Sequence, residues 1–221
     1  MAAGQPIYIN ARRQEVQAVA ALNRVQKWPR GEIAKKLERA RQYNAKIVAS
    51  DQNSLGEFPD PFATNSGKDS KEKNVTLSDR DDDYRSLLNE SGGVMGMIQI
   101  PKISLKLPIY HGTSDVVLDK GVGHLYGTSL PVGGKSTNAV PTGHRGRPNT
   151  LLFTRLDQLR VGDVLYLNTL NCIFGYQITE IHIVNPQDTH LYKVKSGKDL
   201  VALVTCAPYG VSTQQLVLTA E

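Results

Sequence analysis

The chain has 221 residues, 40% of them hydrophobic and 21% charged, enough apolar material for one large domain or a domain with an appendage. No stretch approaches the roughly 18 to 20 consecutive apolar residues that a bilayer crossing needs, and the N-terminus has no apolar signal core, so the sequence as it stands reads as soluble and unprocessed. The formal net charge of +5 is local in origin: residues 1–50 hold ten Lys/Arg against three acidic residues, and residues 51–221 hold sixteen against eighteen. A basic patch confined to one terminal helical segment, without interleaved aromatics, suits a solvated helix face or an anionic surface and argues against nucleic-acid binding. Two cysteines, Cys172 and Cys206, are too few for a disulfide framework or a cysteine zinc site, and neither a metal nor a cofactor is expected.

In chain order, residues 1–50 read as a helical segment. Val16, Val19, Ala20 and Val25 suggest a first helix over 13–27, and Trp28-Pro29-Arg30-Gly31 punctuates it. A second helix, over 29–48, follows from the broken three-to-four spacing of Ile33, Leu37, Ala40, Asn44 and Ile47, with Lys35, Lys36, Arg39 and Arg41 on other faces. Residues 51–93 turn polar and read as loop and linker with one short helix over 84–89. From residue 94 to the C-terminus the period becomes that of strands, at 95–100, 103–110, 163–167, 173–184, 200–206 and 216–219. Short strands separated by Gly/Pro turns predict a closed barrel or a sandwich, interrupted by helical stretches near 114–120 and 150–159.

Cys206 ends the apolar run Leu200-Val-Ala-Leu-Val-Thr205 and precedes Pro208, Tyr209 and Gly210. A strand end opening into a Gly/Pro loop can present a reactive side chain on a rigid support; a buried cysteine acting as a small hydrophobe is the competing reading. A nucleophilic thiolate needs a histidine or another cation beside it. Of five histidines, His144 stands in an unusual setting, Pro141-Thr-Gly-His-Arg-Gly-Arg147, where glycines let the backbone bend around the imidazole. His111, His124, His182 and His190 read more easily as structural. Attack on a carbonyl also needs an oxyanion donor, for which Arg145 is a candidate. Gly133-Gly-Lys-Ser-Thr137 lacks the first glycine of a phosphate loop, since Ser129 stands there, so a nucleotide site is rejected.

The stretches Ile98-Gln-Ile-Pro-Lys-Ile103, Leu107-Pro-Ile-Tyr-His-Gly112, Gly121-Val-Gly-His-Leu125, Thr142-Gly-His-Arg-Gly146 and Thr205-Cys-Ala-Pro-Tyr-Gly-Val211 together resemble the sortase family, and its class C, the pilus-polymerising sortases of Gram-positive bacteria, in particular. The resemblance covers about residue 93 to the C-terminus. Ahead of it, Asp60-Pro61-Phe62 matches the Asp-Pro-aromatic lid motif of that class. What the resemblance implies is a mainly β fold: an eight-stranded barrel with N-terminal helices and a lid loop over a groove that carries Cys206 and His144. Cys206 would attack the Thr-Gly bond of an LPxTG-type sorting signal and hold the pilin as a thioacyl intermediate. His144 would protonate the departing amine and accept a proton from the incoming pilin lysine. The partners implied are pilin subunits, and the place is the extracellular face of the cytoplasmic membrane, with membrane-spanning segments flanking an excised domain.

The sequence departs from the family pattern where Asn and Arg follow the cysteine at six and nine residues; Ser212 and Gln215 occupy those positions. Gln215 donates hydrogen bonds without a positive charge, and the lid Asp60 loses its usual partner. Two rival readings therefore stand beside the transpeptidase: a sortase-like module that binds sorting signals without turnover, and a cysteine hydrolase in which water resolves the acyl-enzyme.

Overall fold

The change to a two-residue period after Gly93 is realised as strands in the computed structural model, which describes residues 28–50, 77–89, 93–145, 152–209 and 213–221, together with 16, 19, 20, 23, 52 and 62. The helix expected over 13–27 falls almost wholly outside these residues. All six predicted strands are present with ends shifted by one or two positions: β1 (Val94–Ile100), β2 (Leu105–His111), β6 (Val164–Thr169), β7 (Cys172–Val184), β8 (Asp199–Ala207) and β9 (Gln214–Ala220). Three short segments join them, β3 (Val122–His124), β4 (Thr137–Ala139) and β5 (Pro141–Thr142). Runs of two or three residues are too brief to show a period, and Pro141 argues locally against a strand.

One sheet contains all nine segments in the order β4-β8-β5-β3-β2-β1-β6-β7-β9, and an added β8–β9 pairing closes it. β4 and β5 are separated by Val140 alone, and both run parallel to β8 at the same offset, Thr137 facing Asp199 and Thr142 facing Val204. They are one interrupted strand, so the barrel has eight strands, and closure leaves no edge to be covered.

The helix expected over 29–48 is α1 (Arg30–Ala49). Its buried Ala40, Tyr43 and Ile47 enter the same apolar core as Ile98, Ile109, Leu165 and Leu203 of the barrel. Asn44 pins the helix: its amide accepts from Leu130 N at 2.7 Å and donates to Leu130 O at 3.1 Å, as a neighbouring strand would. Two short helices precede the barrel, α2 (Leu77–Arg80) and α3 (Asp82–Ser86). The latter lies slightly before the expected 84–89 because the Asp81 carboxylate caps it, accepting from Tyr84 N at 2.9 Å. α4 (Asp115–Lys120) is as expected, but among the described residues of 150–159 no α-helix forms. Turns and one 3₁₀ turn at Leu156–Gln158 occupy the described part of that stretch. Leu152, Phe153, Leu156 and Leu159 are all buried, which mimics a helical period, while Phe153 N bonds to His144 O at 3.0 Å and draws the backbone towards another loop.

A buried polar network fastens α1 and α3 to the barrel. Asp81 accepts from the Tyr43 and Tyr126 hydroxyls at 3.0 and 2.9 Å. Burial alone would raise its carboxyl, but the hydrogen bonds from Tyr84 N and the two phenols outweigh that and hold it below the usual range. Tyr84, fully buried, meets His124 Nδ1 at 2.9 Å and accepts from Gly112 N at 3.0 Å. His124 Nε2 lies 2.8 Å from the Ser129 carbonyl, which can only accept, so Nε2 carries the proton and Nδ1 receives the Tyr84 O–H.

Burial pushes His124 down from 6.5 to about 4 and holds His111 below its ordinary value too. The unfolded chain takes up these protons first, so the stability contributed by the neutral imidazoles is complete above about pH 6.5 and is lost as pH falls towards 4. Each group accounts for at most about 1.4 kcal/mol per pH unit. Urea unfolding at about pH 7.5 and about pH 5 should show this decline, and His124→Asn, less stable at the higher pH, should show a shallower one.

Candidate active site

β8 is buried along nearly its whole length, and its two faces meet different partners. Val201, Leu203 and Ala207 belong to the main core, whereas Ala202, Val204 and Cys206 face a second cluster outside the barrel wall with Leu191, Tyr192, Val217 and Phe62. Alternation along the strand therefore sends the Cys206 thiol outward, yet only 4% of the residue is exposed.

Two strands bring its neighbours. On one side β5 runs parallel to β8, and the pairing continues beyond Thr142 and Val204: Gly143 N donates to Val204 O at 3.1 Å, and the buried Thr205 Oγ1 donates to Gly143 O at 2.7 Å. Two residues further along each chain, His144 and Cys206 stand at the adjoining C-terminal ends of the pair. The passage is tight at Gly143, where a Cβ would lie 3.0 Å from the Phe153 ring. On the other side β9 runs antiparallel, and Gln215 is the residue directly opposite Cys206, so both project from the same face. His144 and Gln215 are 6% and 2% exposed.

Phe62 covers this group. Its ring centroid is 5.7 Å from that of His144, with the planes inclined by 55°, and it is buried in the cluster that contains Cys206. The other two residues of the predicted lid tripeptide, Asp60 and Pro61, lie outside the described residues, as do Arg147 and Ser212. Arg145 adjoins the site with its charge engaged: it donates to Asp157 Oδ2 at 2.7 Å, and its guanidinium carbon lies 5.7 Å from the centroid of the Tyr209 ring. Cys172 sits apart at the start of β7, half-buried. Of the histidines read as structural, His111 bonds to Leu87 O at 2.7 Å, and His182 and His190 meet Glu180 and Asp188 at the surface.

Sequence reasoning misses Tyr192, whose hydroxyl donates to Gln215 Oε1 inside the cluster. Nothing in the loop around Leu191 and Tyr192 marks it, because the contact spans 23 positions. The Gly133–Thr137 turn, rejected as a nucleotide site, already encloses an internal anion. Asp199 accepts there from Gly134 N at 2.6 Å, Thr137 Oγ1 at 3.2 Å and the Tyr176 hydroxyl at 3.0 Å.

The family model for the sortase domain matches residues 98–221. Sortase D of Bacillus subtilis is 35% identical over 120 residues, which is 54% of this chain and 58% of that protein. Sortase A of Streptococcus agalactiae is 29% identical over 131 residues, 58% of this chain and 52% of that protein. The chain thus spans little more than half the length of these curated relatives. Among solved structures, sortase C1 of Streptococcus agalactiae aligns with a TM-score of 0.78 at 37% identity, covering 93% of this chain and 96% of that one. Sortase C-1 of Actinomyces oris aligns at 0.71 and 39% identity, covering 86% and 97%. A structure described as the pilus-related sortase C of Group B Streptococcus aligns at 0.77 and 32% identity, covering 91% and 95%.

With Phe62 packed on His144 and buried in the cluster that holds the 4% exposed Cys206, a thiol reagent should reach Cys206 faster once that ring is removed. Phe62→Ala should accelerate labelling of Cys206 by roughly tenfold or more, since removing a buried aromatic side chain deletes about 3 to 5 kcal/mol of packing. Rates followed by mass spectrometry in a Cys172→Ala background check this, and labelling no faster than the parent would argue against a cover.

Proposed function

The chain belongs to the sortase family, with class C sortases as its structural neighbours, and from that premise we propose that it is a cysteine transpeptidase that joins pilin subunits at the surface of a Gram-positive cell. The observation that supports the reading is the continued β5–β8 pairing, in which His144 and Cys206 end adjoining strands, together with the β8–β9 pairing of Cys206 with Gln215. A cysteine needs a proton-exchanging partner and a donor for the oxyanion, and in this reading His144 and Gln215 supply them.

In this mechanism a sorting signal of LPxTG type displaces Phe62 and lies along the outer cluster. The Cys206 thiolate attacks the Thr carbonyl carbon, and the Gln215 amide donates to the developing oxyanion. Collapse of that adduct breaks the Thr-Gly bond, His144 gives its proton to the glycine amine, and a thioester to Cys206 remains. A pilin lysine amine, deprotonated by His144 as it attacks, then forms an isopeptide bond and releases the thiolate. Arg145, paired with Asp157 and lying over Tyr209, braces the rim of the groove in this scheme. No helix among the described residues is long and apolar enough to cross a membrane, and tethering to the extracellular face of the cytoplasmic membrane belongs to the same proposal.

Incubation with an LPxTG peptide, followed by intact-mass measurement, should give a thioacyl adduct on Cys206, and a lysine-bearing pilin should convert it to a covalent ladder on a denaturing gel. The absence of any adduct would favour a module that binds signals without turnover, a reading motivated by the neutral Gln215. An adduct released only as free acid would mark a hydrolase. Cys206→Ala should give no adduct while keeping a cooperative thermal transition, and Cys172→Ala should react as the parent does. Gln215→Arg should raise single-turnover acylation at saturating peptide by roughly tenfold, because a charged donor is worth about twice a neutral one in free energy and a complete oxyanion donor about 10² to 10³ in rate.

A further inference from the structure

A glutamine at the position where the family pattern has an arginine faces a difficulty that arginine lacks. Guanidinium presents only donors, in whatever way it turns, whereas a carboxamide has an acceptor end and a donor end, and its last torsion is broad and roughly two-fold. With its oxygen towards the thioacyl centre, Gln215 would repel the oxyanion; with its nitrogen there, it would stabilise it. Some neighbouring group must choose between the two.

We propose that Tyr192 is the positioning residue that makes this choice, acting through Gln215 and resting on the donor role given to Gln215 above. The phenol is buried, 3% exposed, and its O–H donates to Gln215 Oε1. Holding the oxygen at the phenol directs the NH2 end of the amide away from Tyr192, on a side chain whose cross-strand neighbour is Cys206. Tyr192 is itself held from both sides. It ends the 3₁₀ turn His190–Tyr192, and its own N–H donates to Thr189 O at 3.0 Å. The Asn138 amide donates to Leu191 O at 2.9 Å and to Lys193 O at 3.1 Å, spanning the residue. One position further, Val194 N donates to Gln52 Oε1 at 2.6 Å. Two buried carboxamides thus clamp the backbone on which the phenol is mounted, and a support held in this way fixes the rotamer of the group that meets the substrate.

The test is Tyr192→Phe, which removes one oxygen and leaves the ring, measured by single-turnover acylation with an LPxTG peptide in the parent and in Gln215→Arg. In the parent the rate at saturating peptide should fall by about tenfold with the half-saturating peptide concentration unchanged, since the lost interaction acts in the transition state. In Gln215→Arg, where there is no amide to orient, Tyr192→Phe should have no effect. Equal losses in the two backgrounds would reveal a merely structural phenol and overturn the proposal, as would a parent-like rate for Tyr192→Phe. Gln215→Ala distinguishes the premise from the inference: if it acylates as fast as the parent, the donor role of Gln215 fails and Tyr192 has nothing to position; if it is slow while Tyr192→Phe is not, only the inference fails.

Discussion

The parallel pairing of the β4–β5 strand with β8 is the constraint on which the remainder of the site depends. Thr137, Thr142 and Gly143 all hold the same offset against β8, so a single register decides that His144 is delivered to the level of Cys206. Because side chains alternate with a period of two, a slip by one residue would send the Cys206 thiol into the main core with Leu203 and Ala207. The buried Thr205 to Gly143 hydrogen bond and the close pass of Gly143 by Phe153 both hold that register.

Antiparallel pairing on the other flank has a different consequence. Directly opposed residues in β8 and β9 are held as one unit, and β9 is in turn zipped to β7, where Val184 faces Gln215. The residue opposite the thiol therefore cannot drift away from it, and its chemistry, neutral here, is imposed on the site without help from loop motion. The cover differs in kind: Phe62 reaches the cluster from a segment outside the barrel, and what holds it there is apolar contact and an inclined ring pair with His144.

Much of this was legible in the sequence because it is written in local patterns. α1 and the six longer strands announce themselves by period, and Cys206, His144 and Phe62 sit in short strings whose company is informative. The three short strands carry no period, although β5 is the element that positions His144. The buried residues from Leu152 to Leu159 imitate a helix because burial recurs every three or four positions there, while the Phe153 backbone is committed to His144. Tyr192 is illegible for a deeper reason: its meaning lies in a partner 23 positions away and in the clamps set by Asn138 and Gln52, none of which leaves a local trace.

The near-complete burial of β8 bears on how such a protein can change. From Leu200 to Ala207 every side chain is enclosed, so the strand that carries the thiol is also a load path for the core, and replacing its residues trades reactivity against folding. The neighbours that set the thiol's surroundings belong to other elements: Gln215 on β9, Tyr192 on a loop turn, and Phe62 on the cover. Change in the thiol's surroundings is thus confined to a few positions around a strand that stays in place, and a different side chain at 215 is a step that the barrel can accommodate without being rebuilt.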